Sequence, residues 1–230
     1  MLGDVAPTEY DLRFTIFGIP VRVHPFFWLL AAFIVWDGVG GRLELVAVGI
    51  ACIFVSVLIH ELGHATLAMA YGWPPRIVLY HFGGLAIFEP TYGYSPARSI
   101  LISLAGPGAG FALYGVVWGI DFYLHQTQSV LLLQPAVFVA IYFLKWINLY
   151  WGLLNLLPVY PLDGGQVSRS LFTWFKRSGG ISESLKLSMI TGGGMAAYFL
   201  INHQWFIGIL MASLAASSYQ QLQAYGHRGW

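Results

Sequence analysis

A long apolar stretch that leads into three ionisable side chains constrains this chain more than any other feature. Residues 45–59 contain one polar side chain, that of Ser56, and His60, Glu61 and His64 follow directly. Positions i and i+4 share one face of a helix, so His60 and His64 can direct two imidazoles at one metal ion. Glu61 lies beside them and can serve as general base for an attacking water. Charge is expensive in such a helix, which favours a functional site over a solvated helix end with two incidental histidines.

The composition is that of a membrane protein. Hydrophobic residues make up 57% of the 230 residues and charged residues only 9%, whereas soluble domains carry about 25% charge. A formal net charge of +1 gives no electrostatic footprint for nucleic acid. Cys52 is the single cysteine, which excludes an intramolecular disulfide and a Cys-x-x-Cys metal site. A bound metal must therefore use histidine and carboxylate ligands.

The hydrophobic segments predict an all-α polytopic membrane protein with about six transmembrane helices, which form a single domain over residues 1–230. The first segment is short, because a helix needs about 20 apolar residues to cross a bilayer. The predicted spans are residues 25–36, 45–71, 97–120, 130–154, 185–201 and 205–219.

Basic residues predict the orientation of these spans, since cytoplasmic loops carry an excess of Lys and Arg. With the N-terminus in the cytoplasm, nine of the eleven basic residues fall on that side, Arg42 falls outside and Lys145 lies within a span. The nine are Arg13, Arg22, Arg76, Arg98, Arg169, Lys176, Arg177, Lys186 and Arg228. Both termini are therefore predicted to be cytoplasmic. His60 then lies about 22 Å along the second span, in the cytoplasmic half of the membrane.

Residues 74–96 differ from the helical segments. The runs 76–82 and 85–88 are rich in β-forming side chains and flank the pair Gly83-Gly84. This pattern predicts a small membrane-associated β-hairpin between the second and third helices. The alternative is an amphipathic surface loop. Alternating side chains at 21–24 predict a further short interfacial strand.

A catalytic zinc commonly has three protein ligands and a water, so His60 and His64 need a partner. Asp163 follows the cytoplasmic end of the fourth span, at a depth similar to that of the histidines, with a proline before it and two glycines after it. Proline restricts the approach and glycine permits a tight exit, which suits a loop that holds one carboxylate inward. The alternative is an aspartate in a surface turn, where this residue is common.

These motifs together resemble those of the site-2 protease family of intramembrane zinc metalloproteases. The resemblance covers about residues 16–170. The matching motifs are H-E-L-G-H at 60–64, N-L-L-P-V-Y-P-L-D-G-G at 155–165, F-G-G at 82–84, A-G-P at 105–107 and G-I-P-V-R-V-H at 18–24.

The resemblance implies a role for each site residue. It implies one Zn²⁺ per chain held by His60, His64 and Asp163, with Glu61 as the catalytic base and Asn155 steadying the substrate or the oxyanion. It further implies that an extended substrate binds along Gly83, Gly84, Leu85 and Ala86.

The substrate that the resemblance implies is a transmembrane protein. The enzyme would hydrolyse peptide bonds within or next to transmembrane segments of membrane-anchored regulators, such as anti-sigma factors or transcription factor precursors. It would do so in a prokaryotic cytoplasmic membrane. The alternative is a metal-ion transporter or a zinc-holding scaffold. A transporter should carry ionisable residues through the outer half of the membrane as well, and a scaffold would be expected to lose Glu61.

Four further polar residues lie within or beside the predicted spans. His24 and His81 are interpreted as interfacial residues, and the alternative is that they approach the site from the cytoplasmic side. Lys145 is interpreted as snorkelling or pairing within the bundle, and Asn148 as bonding across helices.

Overall fold

Helices dominate the fold, and four short strands form one small sheet. The computed structural model describes residues 6–80, 83–90, 92–176 and 178–226. The strands are β1 (Leu12–Ile16), β2 (Ile19–Val23), β3 (Pro75–Tyr80) and β4 (Gly83–Phe88). The helices are α1 (Pro25–Trp36), α2 (Leu43–Ala70), α3 (Pro96–Gln126), α4 (Pro135–Trp146), α5 (Gly152–Asn155), α6 (Asp163–Phe175), α7 (Gly180–Ile201) and α8 (Trp205–Gly226). A π-helical turn, Ile147–Trp151, joins α4 to α5.

Four helical segments in the described part of the chain are long and apolar enough to cross a membrane. They are Leu43–Ala70, Pro96–Gln126, Pro135–Asn155 and Gly180–Ile201, and they correspond to the second to fifth predicted spans. The residues of α1 belong to a shorter apolar helical segment, Pro25–Val39. A mostly helical membrane fold is therefore confirmed, whereas the count of six spans stays a prediction.

The chain divides into two compact units. One comprises the residues up to Gly93 together with Ala105–Gly152, and the other comprises Tyr94–Leu104 together with the residues from Leu153 onward. The first unit holds the sheet, and the second holds α6, α7 and α8. The interpretation of residues 1–230 as a single domain stays a prediction.

The sheet is larger than the predicted hairpin and has the order β1-β2-β3-β4. The expected antiparallel pair is present as β3 and β4, with Tyr80 opposite Gly83. Gly83 and Gly84 begin β4 instead of forming the turn, and His81 and Phe82 lie outside the described residues. β1 was not predicted, and it pairs antiparallel with β2. β2 pairs parallel with β3.

One face of the sheet packs on α1 and α2. Strand residues alternate between two faces, and the buried ones on this face include Val21, Val23, Ile77 and Leu79. They join a core with apolar side chains of both helices. The β2 strand leads straight into α1, where the His24 ring accepts a hydrogen bond from the Phe26 N–H at 3.2 Å. His24 is therefore the N-cap of α1, which gives this residue a structural role.

Two polar contacts hold the membrane helices of the first unit together. The Asn148 amide donates to the Ser56 hydroxyl at 2.9 Å, as predicted for a side chain that bonds across helices. The Lys145 ammonium lies 2.8 Å from the carboxylate of Asp121. This partner explains why α3 continues past Ile120, its predicted end, because the charge of Asp121 is neutralised within the bundle.

Two buried serines connect α7 and α8 within the second unit. The hydroxyls of Ser188 on α7 and Ser218 on α8 lie 2.7 Å apart, and both residues are fully buried. The Ser188 hydroxyl also accepts a hydrogen bond from the Tyr160 backbone N–H at 2.7 Å. The loop that precedes α6 is thus tied to α7 by a main-chain donor whose acceptor is fully buried.

We predict that Ser188→Val destabilises the second unit, because it leaves the Tyr160 N–H buried without this acceptor. Loss of a buried partner typically costs about 1–3 kcal/mol. Thermal unfolding in detergent measures the loss. The matched control is Ser213→Ala on α8, since Ser213 is exposed and bonds only to its own helix at Leu210. Equal unfolding temperatures for the two variants would contradict the assignment.

Candidate metal centre

Helix α2 places two imidazoles side by side in a buried position. His60 and His64 are 4% and 6% exposed, one turn apart on the same helix face. Their Nε2 atoms lie 3.2 Å apart, and the ring planes meet at 77°. Two nitrogens bound to one tetrahedral zinc at about 2.0–2.1 Å stand about 3.4 Å apart. The histidine pair therefore fits a shared metal ion without rearrangement.

Glu61 lies next to the pair and is also buried, at 5% exposed. Its position on α2 directs it toward the first residues of β4. A Cβ built on Gly84 would come within 2.3 Å of Glu61 Cγ, so the strand backbone lies against the carboxylate side chain. No side chain larger than hydrogen fits at position 84 while Glu61 keeps this conformation.

A second glycine makes room for His64. A Cβ on Gly106 of α3 would come within 2.1 Å of the His64 Nε2 atom. Gly106 is the central residue of the A-G-P motif at 105–107. The two helices approach closely at the neighbouring positions, where a Cβ on Gly63 would lie 2.4 Å from the Ala105 carbonyl oxygen. Gly106 therefore leaves the space that the Nε2 atom of His64 occupies.

Tyr80 is a further residue of this region, and no sequence pattern selects it as a site residue. Burial raises the pKa of the Tyr80 phenol, and the negative charge of Glu61 raises it further. Tyr80 therefore stays protonated at neutral pH and can donate a hydrogen bond. The position of Tyr80 in a β-forming run predicts a strand. It does not indicate which residues lie near Tyr80 in the fold.

Asp163 is the first residue of α6, and the structure explains how its position is fixed. A Cβ on Gly164 would lie 2.1 Å from the Leu156 carbonyl oxygen, and one on Gly165 would lie 2.5 Å from the Tyr160 nitrogen. The two glycines thus allow the preceding loop to fold tightly onto the start of α6. The carboxylate sits in the first turn of a helix, where a negative charge is favourable.

The donor set suits zinc. His60 and His64 each offer an imidazole nitrogen and Asp163 offers a carboxylate oxygen, and both are ligand types that bind zinc. Two imidazoles and one carboxylate, with a fourth position left for water, are typical of catalytic zinc. The individual ligand assignments stay predictions.

The other predicted site residues are placed as follows. Asn155 is buried, at 7% exposed, and ends α5. Leu85 and Ala86 follow the glycines in β4, which is an edge strand of the sheet. Their predicted roles in stabilising the oxyanion and binding substrate are not tested by their positions.

Comparison with known proteins identifies a peptidase family that this chain matches. Residues 48–200 match the model of peptidase family M50. A zinc metalloprotease of Methanocaldococcus jannaschii is 30% identical over 84% of this chain and 54% of its own length. Stage IV sporulation protein FB of Bacillus subtilis is 29% identical over 88% of this chain and 66% of its own length. The chain thus spans less than two thirds of either relative.

A solved structure extends the comparison to the fold. The site-2 protease from Methanocaldococcus jannaschii superposes with a TM-score of 0.65 at 25% identity, covering 93% of this chain and 95% of that one. The small sheet and the apolar helices described above thus belong to a known architecture.

We predict that Gly106→Ala weakens zinc binding, because the added methyl group displaces the ring of His64. The loss should be about tenfold or more, the scale seen when the surroundings of a metal ligand are disturbed. Gly108→Ala is the matched control, since a Cβ there meets nothing within 4 Å. Zinc content after dialysis against a graded chelator measures the difference. Equal zinc retention by the two variants would show that His64 tolerates the methyl group.

Proposed function

The chain belongs to peptidase family M50, the site-2 protease family of zinc metalloproteases, and from this membership and the site we propose that it is an intramembrane protease. It hydrolyses peptide bonds within or next to transmembrane segments of membrane-anchored regulatory proteins. The observation that carries the proposal is the buried arrangement of Glu61 beside the imidazoles of His60 and His64. Buried ionisable groups of this kind in an apolar helix are costly and mark function.

We propose that His60, His64 and Asp163 hold the zinc ion. The nitrogen spacing of the histidine pair and the donor types support this set. When bound, zinc supplies a Lewis acid that polarises the scissile carbonyl and makes water more acidic. The protein's part is to fix the three ligands and to keep the site largely enclosed.

The proton transfers belong to Glu61. It accepts a proton from the attacking water as the water oxygen bonds to the carbonyl carbon. It then delivers that proton to the amide nitrogen as the C–N bond breaks. We propose that the side-chain amide of Asn155 donates a hydrogen bond to the carbonyl oxygen as negative charge builds there.

The substrate segment must be extended, because a helix hides its carbonyls in i to i−4 hydrogen bonds. We propose that Gly83, Gly84, Leu85 and Ala86 pair with it by strand addition. Two observations support this binding mode. β4 stands at the edge of the sheet, and its Gly84 lies against the side chain of Glu61. A segment paired with β4 would therefore run past the catalytic base.

The proposed topology follows the charge distribution of the sequence. Six spans place both termini in the cytoplasm of a prokaryotic cell and the site in the cytoplasmic half of the membrane. Residues 1–230 act as one metalloprotease domain. The substrates are regulators such as anti-sigma factors or transcription factor precursors. A transporter or scaffold is not favoured, because neither needs a carboxylate in the place of Glu61.

We predict that two substitutions separate catalysis from metal binding. Glu61→Gln should retain zinc and lose cleavage by about 10²–10⁴-fold, because an amide cannot accept the water proton. Asp163→Ala should lose both zinc and cleavage. Zinc content and cleavage of a single-span reporter protein, measured side by side in detergent, test both. Near-normal turnover by Glu61→Gln would defeat the mechanism, and unchanged zinc in Asp163→Ala would remove that ligand.

We predict that substrate crosslinks to β4 follow a strand period. A single cysteine replaces Leu85 or Ala86 in a Cys52→Ala, Glu61→Gln background, and cysteines are placed one at a time along the reporter. Disulfide formation at alternate reporter positions is expected, because strand residues alternate between faces. Crosslinks at every third or fourth position would mean that the substrate remains helical there.

A further inference from the structure

The second face of the sheet carries three arginines. Arg13 on β1 lies directly opposite Arg22 on β2, and Arg22 lies opposite Val78 on β3. Arg76 stands two residues before Val78, so strand alternation puts all three guanidinium groups on one face. This is the face turned away from the apolar core that α1 and α2 share with the sheet.

The three side chains line one open concavity of about 530 Å³. No carboxylate is among its described lining residues. At its rim, the carboxylate of Asp11 lies 3.0 Å from Arg22 and 4.0 Å from Arg13, and the exposed Glu9 borders an adjoining depression. The charged residues that line the concavity itself are therefore all arginines.

Asp11 holds Arg22 in position on this face. Burial opposes its ionisation, but hydrogen bonds from Thr8 and from Arg22 more than offset this effect and lower its pKa to about 2. The carboxylate therefore remains charged at neutral pH and fixes Arg22. Arg13, whose side chain is 63% exposed, and Arg76 extend toward the surroundings.

The sheet stands beside α2, not beyond its end. On β1, the Phe14 ring lies 6.4 Å from the ring of Phe54, near the middle of α2. On β4, Gly84 abuts Glu61, and Phe88 stacks on Trp73, just past the end of the helix. The sheet therefore lies alongside the second half of α2, and its arginine face points sideways, away from the helices.

The shortness of α1 sets the depth of this face. With 12 residues, α1 is about 18 Å long, well under a bilayer core of about 30 Å. α2 has 28 residues and is about 42 Å long. β2 enters α1 through His24, whose N–H donates to the Leu79 carbonyl of β3 at 2.8 Å. The sheet thus stands at the level that further turns of α1 would occupy, beside the half of α2 that ends at Ala70.

We propose that the face formed by Arg13, Arg22 and Arg76 binds the phosphate of anionic phospholipid headgroups. Guanidinium groups that faced hydrocarbon would be strongly unfavourable, whereas planar guanidinium groups match phosphate oxygens well. Because α1 is short and the arginine face points sideways at the depth of the interface, headgroups move inward to contact the sheet. The local bilayer is then thinner beside the site, which lets water approach His60 and Glu61.

An aromatic residue at the hairpin tip supports an interfacial location. Phe17, between β1 and β2, is 77% exposed and has a φ of 52°. This backbone conformation is unfavourable for a bulky residue, so the turn holds the ring outward. An exposed phenylalanine ring can insert at the boundary between headgroups and acyl chains.

The test measures binding of phosphatidylglycerol to the full chain purified in nonionic detergent. The readout is energy transfer from the protein's tryptophans to phosphatidylglycerol labelled on its acyl chain. We expect Arg13→Gln/Arg76→Gln to weaken binding about 30-fold, at roughly fivefold per arginine near an anionic lipid. Arg13→Lys/Arg76→Lys keeps both charges and should restore most of the affinity. Arg42→Gln is the matched control, because Arg42 is exposed beside the opposite end of α2.

Competition identifies the ligand. Unlabelled phosphatidylglycerol should displace the labelled lipid, and the same concentration of inorganic phosphate or phosphatidylcholine should displace far less. Displacement by inorganic phosphate as effective as by phosphatidylglycerol would make this a free-anion site and overturn the proposal. So would an unchanged affinity in Arg13→Gln/Arg76→Gln, or an equal loss in Arg42→Gln. If the double variant does not fold, the single variant Arg13→Gln, at an exposed position, decides with an expected loss of about fivefold.

Discussion

Burial of three ionisable side chains in an apolar helix is the constraint on which the rest of the first unit depends. His60, Glu61 and His64 are each at most 6% exposed, and the helix around them offers almost no polar partner. Desolvated charge needs compensation from a partner or a metal ion. The two imidazoles turn their Nε2 atoms toward each other at 3.2 Å, and a zinc ion that bridged this spacing would be the partner of both.

Space around these side chains is the second requirement, and glycine provides it. Gly84 admits Glu61 and Gly106 admits His64, each at a distance where a methyl group would overlap the side chain. The strand and the helix can thus approach the site with their backbones and still leave the functional atoms room. The absence of side chains at these two positions determines the shape of the site as much as the ligands do.

The sequence was sufficient wherever the deciding interaction is local. Apolar length located α2, the i, i+4 spacing predicted the histidine pair, and the β-forming runs predicted the β3–β4 pair. It was insufficient where the deciding contact is distant. The parallel pairing of β2 with β3 joins Val21 to Ile77, and no short-range pattern specifies it. The partner of Lys145 was unknown until Asp121 proved to be 24 positions away on another helix. Ser188 reads as an ordinary helical serine, and only its contact with the Tyr160 N–H gives it significance.

The two parts of the proposed ligand set are each ordered by their own surroundings. The histidine pair takes its geometry from the single helix α2, with Gly106 leaving room for one ring. The Asp163 carboxylate takes its position from the loop before α6, which the glycines at 164 and 165 compact and Ser188 ties to α7. Side chains held in this way lose little conformational freedom when a metal binds. More of the binding free energy is then available as affinity, and the ligands stay fixed while Glu61 exchanges protons with the substrate.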